Sequence, residues 1–89
     1  MLYFVKIQLF MDKMAKMLEK SAKGEIPSPA AYSTIYCSTE QMGLGYAIFN
    51  VESEEKLDDI LLKLEPYSKV FEKAPIITLE QFQARMAAK

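Results

Sequence analysis

The sequence predicts a single α+β domain in which helices cover one face of an antiparallel sheet. Its 89 residues suffice for one domain spanning 1–89, because compact domains usually hold about 100 to 150 residues. Segments with alternating apolar residues, typical of strands, are interspersed with segments whose apolar residues recur at helical spacing. From the N-terminus, the order is strand, helix, strand, strand, helix, strand and a short final helix.

The first strand covers residues 2–10, LYFVKIQLF. Successive side chains of a strand point to opposite faces, so the odd and even positions separate. The even positions form a face that is partly apolar and partly polar, with Leu2 and Phe4 followed by Lys6 and Gln8. The odd positions form an unbroken apolar face, which predicts contact with a core: Tyr3, Val5, Ile7 and Leu9.

The first helix is predicted to begin at Asp12, whose carboxylate is a common N-terminal cap. Met14, Met17 and Leu18 follow at the i, i+3, i+4 spacing of one helical face. Gly24 is predicted to end the helix. The proline-containing segment 25–29 is predicted to be a loop.

The second and third strands are predicted as a hairpin over about 30–38 and 44–51, joined by a turn that contains Gly43. In the first of these strands, Tyr32, Thr34 and Tyr36 alternate with Ser33, Ile35 and Cys37. In the other, alternate residues share the face of Lys6 and Gln8: Leu44, Tyr46, Ile48 and Asn50.

A second helix is predicted after Ser53, with Pro66 at its end. Its apolar residues, at helical spacing, form one buried stripe: Leu57, Ile60, Leu61 and Leu64.

The last strand is predicted near residues 74–77, at an edge of the sheet because of Pro75. Thr78 and Gln81 have the spacing of a capping box, which predicts a short C-terminal helix. Leu79, Phe82 and Met86 share one face of that helix.

This order is that of the ferredoxin-like βαββαβ sandwich, with two helices on one face of a four-stranded antiparallel sheet. Lys6 and Gln8 belong on the open face, because burying an unpaired charge or amide beneath the helices is costly. That face also carries Phe4, Tyr46 and Ile48 and is too apolar for water. We therefore expect a homodimer that pairs sheet to sheet, while larger oligomers are left open.

The space between two such sheets is lined by a few polar groups among apolar ones, which is typical of a small-molecule pocket. Lys6 is expected to bind an anionic or carbonyl oxygen or to act as a base, and a tyrosine to donate a hydrogen bond. The alternative is that these are ordinary strand residues and that Lys6 pairs with an acid in the interface. The candidate ligand-binding residues are Lys6, Gln8, Tyr32, Thr34, Tyr36, Tyr46 and Asn50.

Composition excludes several functions. Eleven basic and twelve acidic residues nearly cancel, which argues against a nucleic-acid partner. The chain has no histidine and a single cysteine, so Ser-His and Cys-His catalysis and histidine-based metal sites are excluded. Cys37 falls on the helix-covered face, where cysteine behaves as a small inert hydrophobe. No flavin, haem or metal ligands are recognisable, and no cofactor is expected.

The lone thiol favours a reduced, cytoplasmic location. No apolar run approaches the roughly 18 residues that span a membrane, and the apolar start has neither the basic region before it nor the cleavage signal after it that mark a signal peptide.

Two stretches carry a family resemblance: the opening MLYFVKIQL and the run GYAIFNVESEEKLDDILLKLEPYSKVFE. Together they cover roughly half the chain and resemble the muconolactone isomerase group of the dimeric α/β-barrel superfamily. The resemblance implies two sheets paired around a shared cavity. Members include isomerases, quinol-forming monooxygenases and many proteins without known activity.

The chain departs from the isomerase pattern, because its first helix and following loop are shorter and the histidine and arginine positions of that region are missing. The isomerase reaction is therefore not carried over. Two hypotheses are left: a homodimer that binds a small, mostly apolar organic molecule, with or without isomerase- or monooxygenase-like activity, and a non-catalytic assembly or regulatory protein whose sheet face is only dimer core.

Overall fold

A computed structural model describes residues 1–26 and 33–88 of the chain. It confirms the predicted α+β class, with one four-stranded antiparallel sheet and three helices in the described ranges. Along the sheet the strands are ordered β2-β3-β1-β4. The elements are β1 (Leu2–Leu9), α1 (Met14–Ala22), β2 (Ser33–Cys37), β3 (Leu44–Asn50), α2 (Glu54–Leu64), β4 (Ser68–Ile76) and α3 (Leu79–Ala87).

Strand β1 is central and pairs on both sides, antiparallel to β3 and to β4. Its odd positions face the helices, as the alternation predicts: Tyr3 is 3 % exposed and Val5 is fully buried. Helix α2 lies over this face and buries Leu57 and Ile60 as completely as β1 buries Val5. The core consists of Tyr3, Val5, Ile26, Ala47, Phe49, Val51, Leu57, Ile60 and Leu64.

Helix α2 begins and ends where the sequence predicts. The Ser53 hydroxyl accepts a hydrogen bond from the Lys56 backbone N–H at 3.2 Å, which satisfies one of the free donors of the first turn. The helix ends at Leu64, and a 3-10 turn containing Pro66 leads into β4.

Lys73 of β4 ties the edge strand to α2. Its Nζ donates to Asp58 at 2.7 Å and lies 3.2 Å from Glu54. The hydrogen bonds to Asp58 and then to Glu54 raise the pKa of Lys73 above its ordinary value. Because the folded-state pKa is raised, this contribution to stability is complete at neutral pH and is lost only as the pH rises above about 10.4.

Two predicted boundaries are wrong. Asp12 does not cap α1, because it lies inside a 3-10 turn, Met11–Lys13, that precedes the helix, and a cap needs extended backbone. The N-terminal cap position is Lys13, which makes no side-chain capping bond. Strand β4 begins at Ser68 and not near residue 74, since pairing with the whole length of β1 extends it.

Strand β2 is described over Ser33–Cys37, and the earlier residues predicted for it, 30–32, lie outside the described ranges. Cys37 is on the helix side of the sheet, opposite Gly45, but it is exposed and not buried as expected. The reason is its place at the end of an edge strand, beside a glycine without a side chain.

Helix α3 has the predicted capping box, with the Thr78 hydroxyl bonded to the Gln81 N–H and the Gln81 side chain to the Thr78 N–H. Every residue of α3 is exposed, including Leu79, Phe82 and Met86. The molecule measures 50 × 29 × 17 Å, and its radius of gyration is 14.8 Å, against about 12 Å for a compact chain of this length. The chain is therefore elongated.

The turn between β2 and β3 depends on Gly43. Its φ of 86° lies in the left-handed region, which glycine adopts without strain. A Cβ there would lie 2.6 Å from Gln8 Nε2 and 2.7 Å from the Leu9 carbonyl oxygen. The backbone of the turn thus packs directly against the end of β1.

We expect Gly43→Ala to destabilise the protein by about 3 kcal/mol, because backbone strain adds to a clash with fixed backbone. Gly24→Ala is the matched control: Gly24 also has a positive φ, but a Cβ there meets open space, so only strain of about 1 kcal/mol is expected. Urea unfolding of both variants measures the difference. Equal losses would contradict the close packing of this turn.

Candidate functional site

The open face of the sheet carries a row of polar and aromatic side chains across all four strands. Lys6 of β1 lies opposite Tyr46 of β3, which in turn lies opposite Tyr36 of β2. On the other side of β1, Lys6 lies opposite Glu72 of β4. Period-two alternation places these residues on one face, so three of the predicted site residues are neighbours.

Aromatic side chains neighbour Lys6 along β1 and across the sheet. Phe4 and Tyr46 stack with their ring centroids 6.5 Å apart and their planes at 21°. On the opposite side, the Lys6 Nζ lies 5.9 Å from the centroid of the Phe71 ring, and Lys69 lies 5.7 Å from the same ring. Such cation–π contacts are attractive but weak at exposed sites. Lys6 makes no ion pair within the described part of the chain.

Phe71 and Lys69 are site residues that the sequence prediction missed. The register of β4 shifts so that Lys6 lies opposite Glu72 and Ile7 opposite Val70, which leaves Phe71 as an extra, bulged residue. Bulges of this kind re-aim a side chain. The signal that could have found it is the β-forming pair Val70-Phe71, which lies two residues before the predicted strand at 74–77.

Gln8 is a predicted ligand-binding residue, but its side chain forms hydrogen bonds within the chain. Its side-chain NH₂ donates to the carbonyl oxygens of Leu9 and Met42, each at 3.0 Å. Its side-chain oxygen accepts a hydrogen bond from the Gln41 side chain. These bonds hold the β2–β3 turn against the end of β1, so the structure assigns Gln8 a positioning role.

The other candidates are less central. Thr34 lies opposite Ile48 on the open face. Asn50 lies opposite Leu2, four residues along β3 from Tyr46 and thus about 13 Å away. Tyr32 lies outside the described residues. The compact part of the predicted site is therefore Lys6, Tyr36 and Tyr46.

This arrangement can hold a flat molecule with an oxygen. The rings of Phe4, Tyr46 and Phe71 provide apolar surface, Lys6 provides a cation, and Tyr36 and Tyr46 provide hydroxyl donors. Tyr36 is 60 % exposed, Phe71 50 % and Ile48 38 %. The face is open in the single chain, so an enclosed cavity here requires a covering surface.

Two further observations bear on the class of site. Within residues 1–26 and 33–88, no group of three or more cysteine and acidic side chains is placed to hold a metal ion. No helix in the same ranges has the length and apolar content needed to cross a membrane.

No protein-family model and no curated protein matches the sequence of the chain.

The role found for Gln8 is testable. We expect Gln8→Ala to lower the free energy of unfolding by about 1 to 2 kcal/mol, because two carbonyl oxygens lose their partner. Gln41→Ala removes only the exposed end of the same network and should change stability by less than about 0.5 kcal/mol. Thermal unfolding measures both. A Gln8→Ala variant as stable as the wild type would show that the turn is held in another way.

Proposed function

We propose that the chain is a ferredoxin-like, homodimeric module of the dimeric α/β-barrel type, and that it binds a small, mostly apolar organic molecule between its two sheets. The observation that carries the proposal is the exposed apolar surface of the open face beside Lys6, which makes no ion pair with any described residue. A cytoplasmic location, as the single thiol suggests, is part of the proposal.

A second copy is the partner that fits this face best. Large apolar side chains are exposed on the central strand β3 and on both edge strands, namely Ile48, Tyr36 and Phe71, and such patches usually mark an interface. Two sheets pack about 10 Å apart. Twofold symmetry then places two copies of the row Tyr36–Tyr46–Lys6 around one space.

The chemistry of that row indicates the ligand class. Lys6 would hold an anionic or carbonyl oxygen through a charged hydrogen bond, which is stronger than a neutral one. Stacked rings beside it favour an aromatic or otherwise planar molecule. An isomerase- or monooxygenase-like reaction would need a base beside the bound molecule. Lys6 would fill that role in its neutral form, as an alternative to holding the oxygen as a cation.

The alternative function is a non-catalytic assembly or regulatory protein. It is favoured by Gln8, whose amide is already bonded within the chain, and by the Phe4–Tyr46 stack. Both features suit a filled dimer core, in which Gln8 and Tyr46 pack and do not bind a ligand. The two functions differ in whether space is left beside Lys6.

Assembly is tested by placing a charge on the open face. Ile48→Lys should convert a wild-type dimer to a monomer of lower stability, because the interface would bury an unpaired ammonium group. Leu62→Lys is the matched control, since Leu62 is 65 % exposed on the outer side of α2, and it should keep the dimer mass. Light scattering after gel filtration gives the masses. A monomeric wild type, or a dimeric Ile48→Lys, would contradict sheet-to-sheet pairing.

Ligand binding is tested with 2-naphthoate, a planar apolar anion. We expect Lys6→Met to weaken its binding at least tenfold while the dimer persists, because the carboxylate loses its cation. Lys16→Met, on the exposed side of α1, is the control and should bind like the wild type. Isothermal calorimetry measures the affinities. A dimeric wild type that binds no 2-naphthoate would favour the assembly protein.

A further inference from the structure

A separate cavity lies on the other face of the sheet, between α1 and the strands. Its volume is about 270 Å³. The sheet side is formed by odd positions of β1, by β3 and by Ile35 of β2, and the helix side by α1. The lining residues of α1 are Met17, Leu18 and Ser21.

The cavity exists because α1 does not pack closely on the sheet. Its apolar residues recur at helical spacing, yet no residue of α1 is buried. Met17 only partly covers the core, and Leu18 is 59 % exposed. By contrast, α2 buries Leu57 and Ile60 against the same sheet. Protein interiors are normally close-packed. A space of this size beneath an amphipathic helix can therefore hold a small molecule.

The polarity of the lining residues indicates which class of ligand the cavity can bind. Ser21 is the only polar side chain among the described residues that line the space. The nearby charges of Lys20 and Glu25 are paired with each other at 3.3 Å. A dry apolar cavity of ~150 Å³ holds benzene, and this one is larger. A charged molecule would be buried here without a partner, which is costly.

We propose that this cavity is a second binding site, and that it takes an uncharged, apolar molecule of one or two rings, or a short alkyl chain, with at most one hydroxyl or carbonyl group. Such a group would bond to the Ser21 hydroxyl. The site shares no side chain with the open face and does not rest on dimer formation.

The experiment uses the full chain labelled with [methyl-¹³C]methionine and naphthalene as the probe. The Met17 methyl group reports on the cavity, and its resonance is assigned with Met17→Leu. Met42 and Met86 are exposed elsewhere and serve as internal references. We expect naphthalene to shift the Met17 resonance saturably while the Met42 and Met86 resonances stay in place.

Variants locate the binding. Ala47 lines the cavity and is 4 % exposed, so Ala47→Leu fills the space and should weaken naphthalene binding at least tenfold. Leu18→Trp fills it from the more tolerant, exposed side and gives the same test if Ala47→Leu does not fold. Ala15→Leu, an exposed position of the same helix, is the matched control and should bind like the wild type.

Three results would overturn the proposal: no saturable Met17 shift in the wild type, an unchanged shift in folded Ala47→Leu or Leu18→Trp, or loss of the shift in folded Ile48→Lys. The last would place naphthalene between the sheets. Retention of the Met17 shift in Ile48→Lys supports a cavity independent of the open face, whatever the outcome for 2-naphthoate. A preference for 1-naphthol over naphthalene that disappears in Ser21→Ala supports the assigned hydroxyl.

Discussion

The whole structure depends on the pairing of β1 on both of its sides. Because β1 lies between β3 and β4, its alternate residues define two faces of one sheet. Val5 and Tyr3 bury against α2, whose Leu57 and Ile60 are almost completely hidden. Full burial of each such aliphatic side chain contributes about 1.5 to 3 kcal/mol. A one-residue slip of β1 would move Lys6 into this core and Val5 out of it, so the register is fixed by both faces at once.

The same alternation explains why the open face is chemically mixed. Residues 2, 4, 6 and 8 cannot join the core, whatever their polarity, because the odd residues already occupy it. The polar side chains of this face have different partners at different positions of β1. Gln8 is bonded to the β2–β3 turn, whereas Lys6 makes no ion pair within the described residues and lies over the Phe71 ring. Gln8, near the turn, is therefore occupied by hydrogen bonds within the chain, whereas Lys6, in the middle of β1, can bind a ligand.

The sequence predicted what depends on local pattern and missed what depends on tertiary pairing. Alternation in β1 and β3 and the caps at Ser53 and Thr78 are set by neighbouring residues, and these predictions are confirmed. The start of β4 is set by its partner β1, so pattern alone placed it too late. The exposure of Cys37 depends on what lies over an edge strand. The alternation of side chains along the strands predicted that Lys6, Tyr36 and Tyr46 share one face. It could not predict the bulge in β4 that brings Phe71 close to Lys6.

Strand β3 separates the two spaces to which we assign ligands. Tyr46 and Ile48 face the open side, and Ala47, between them in sequence, faces the cavity beneath α1. Substitutions that act on one face therefore leave the side chains of the other unchanged, and effects at sites without shared partners are usually additive. What the faces share is the backbone of β1 and β3. Binding on one side can influence the other only by moving that backbone, and the close fit of Gly43 against Gln8 and Leu9 restrains such movement at the turn end of the sheet.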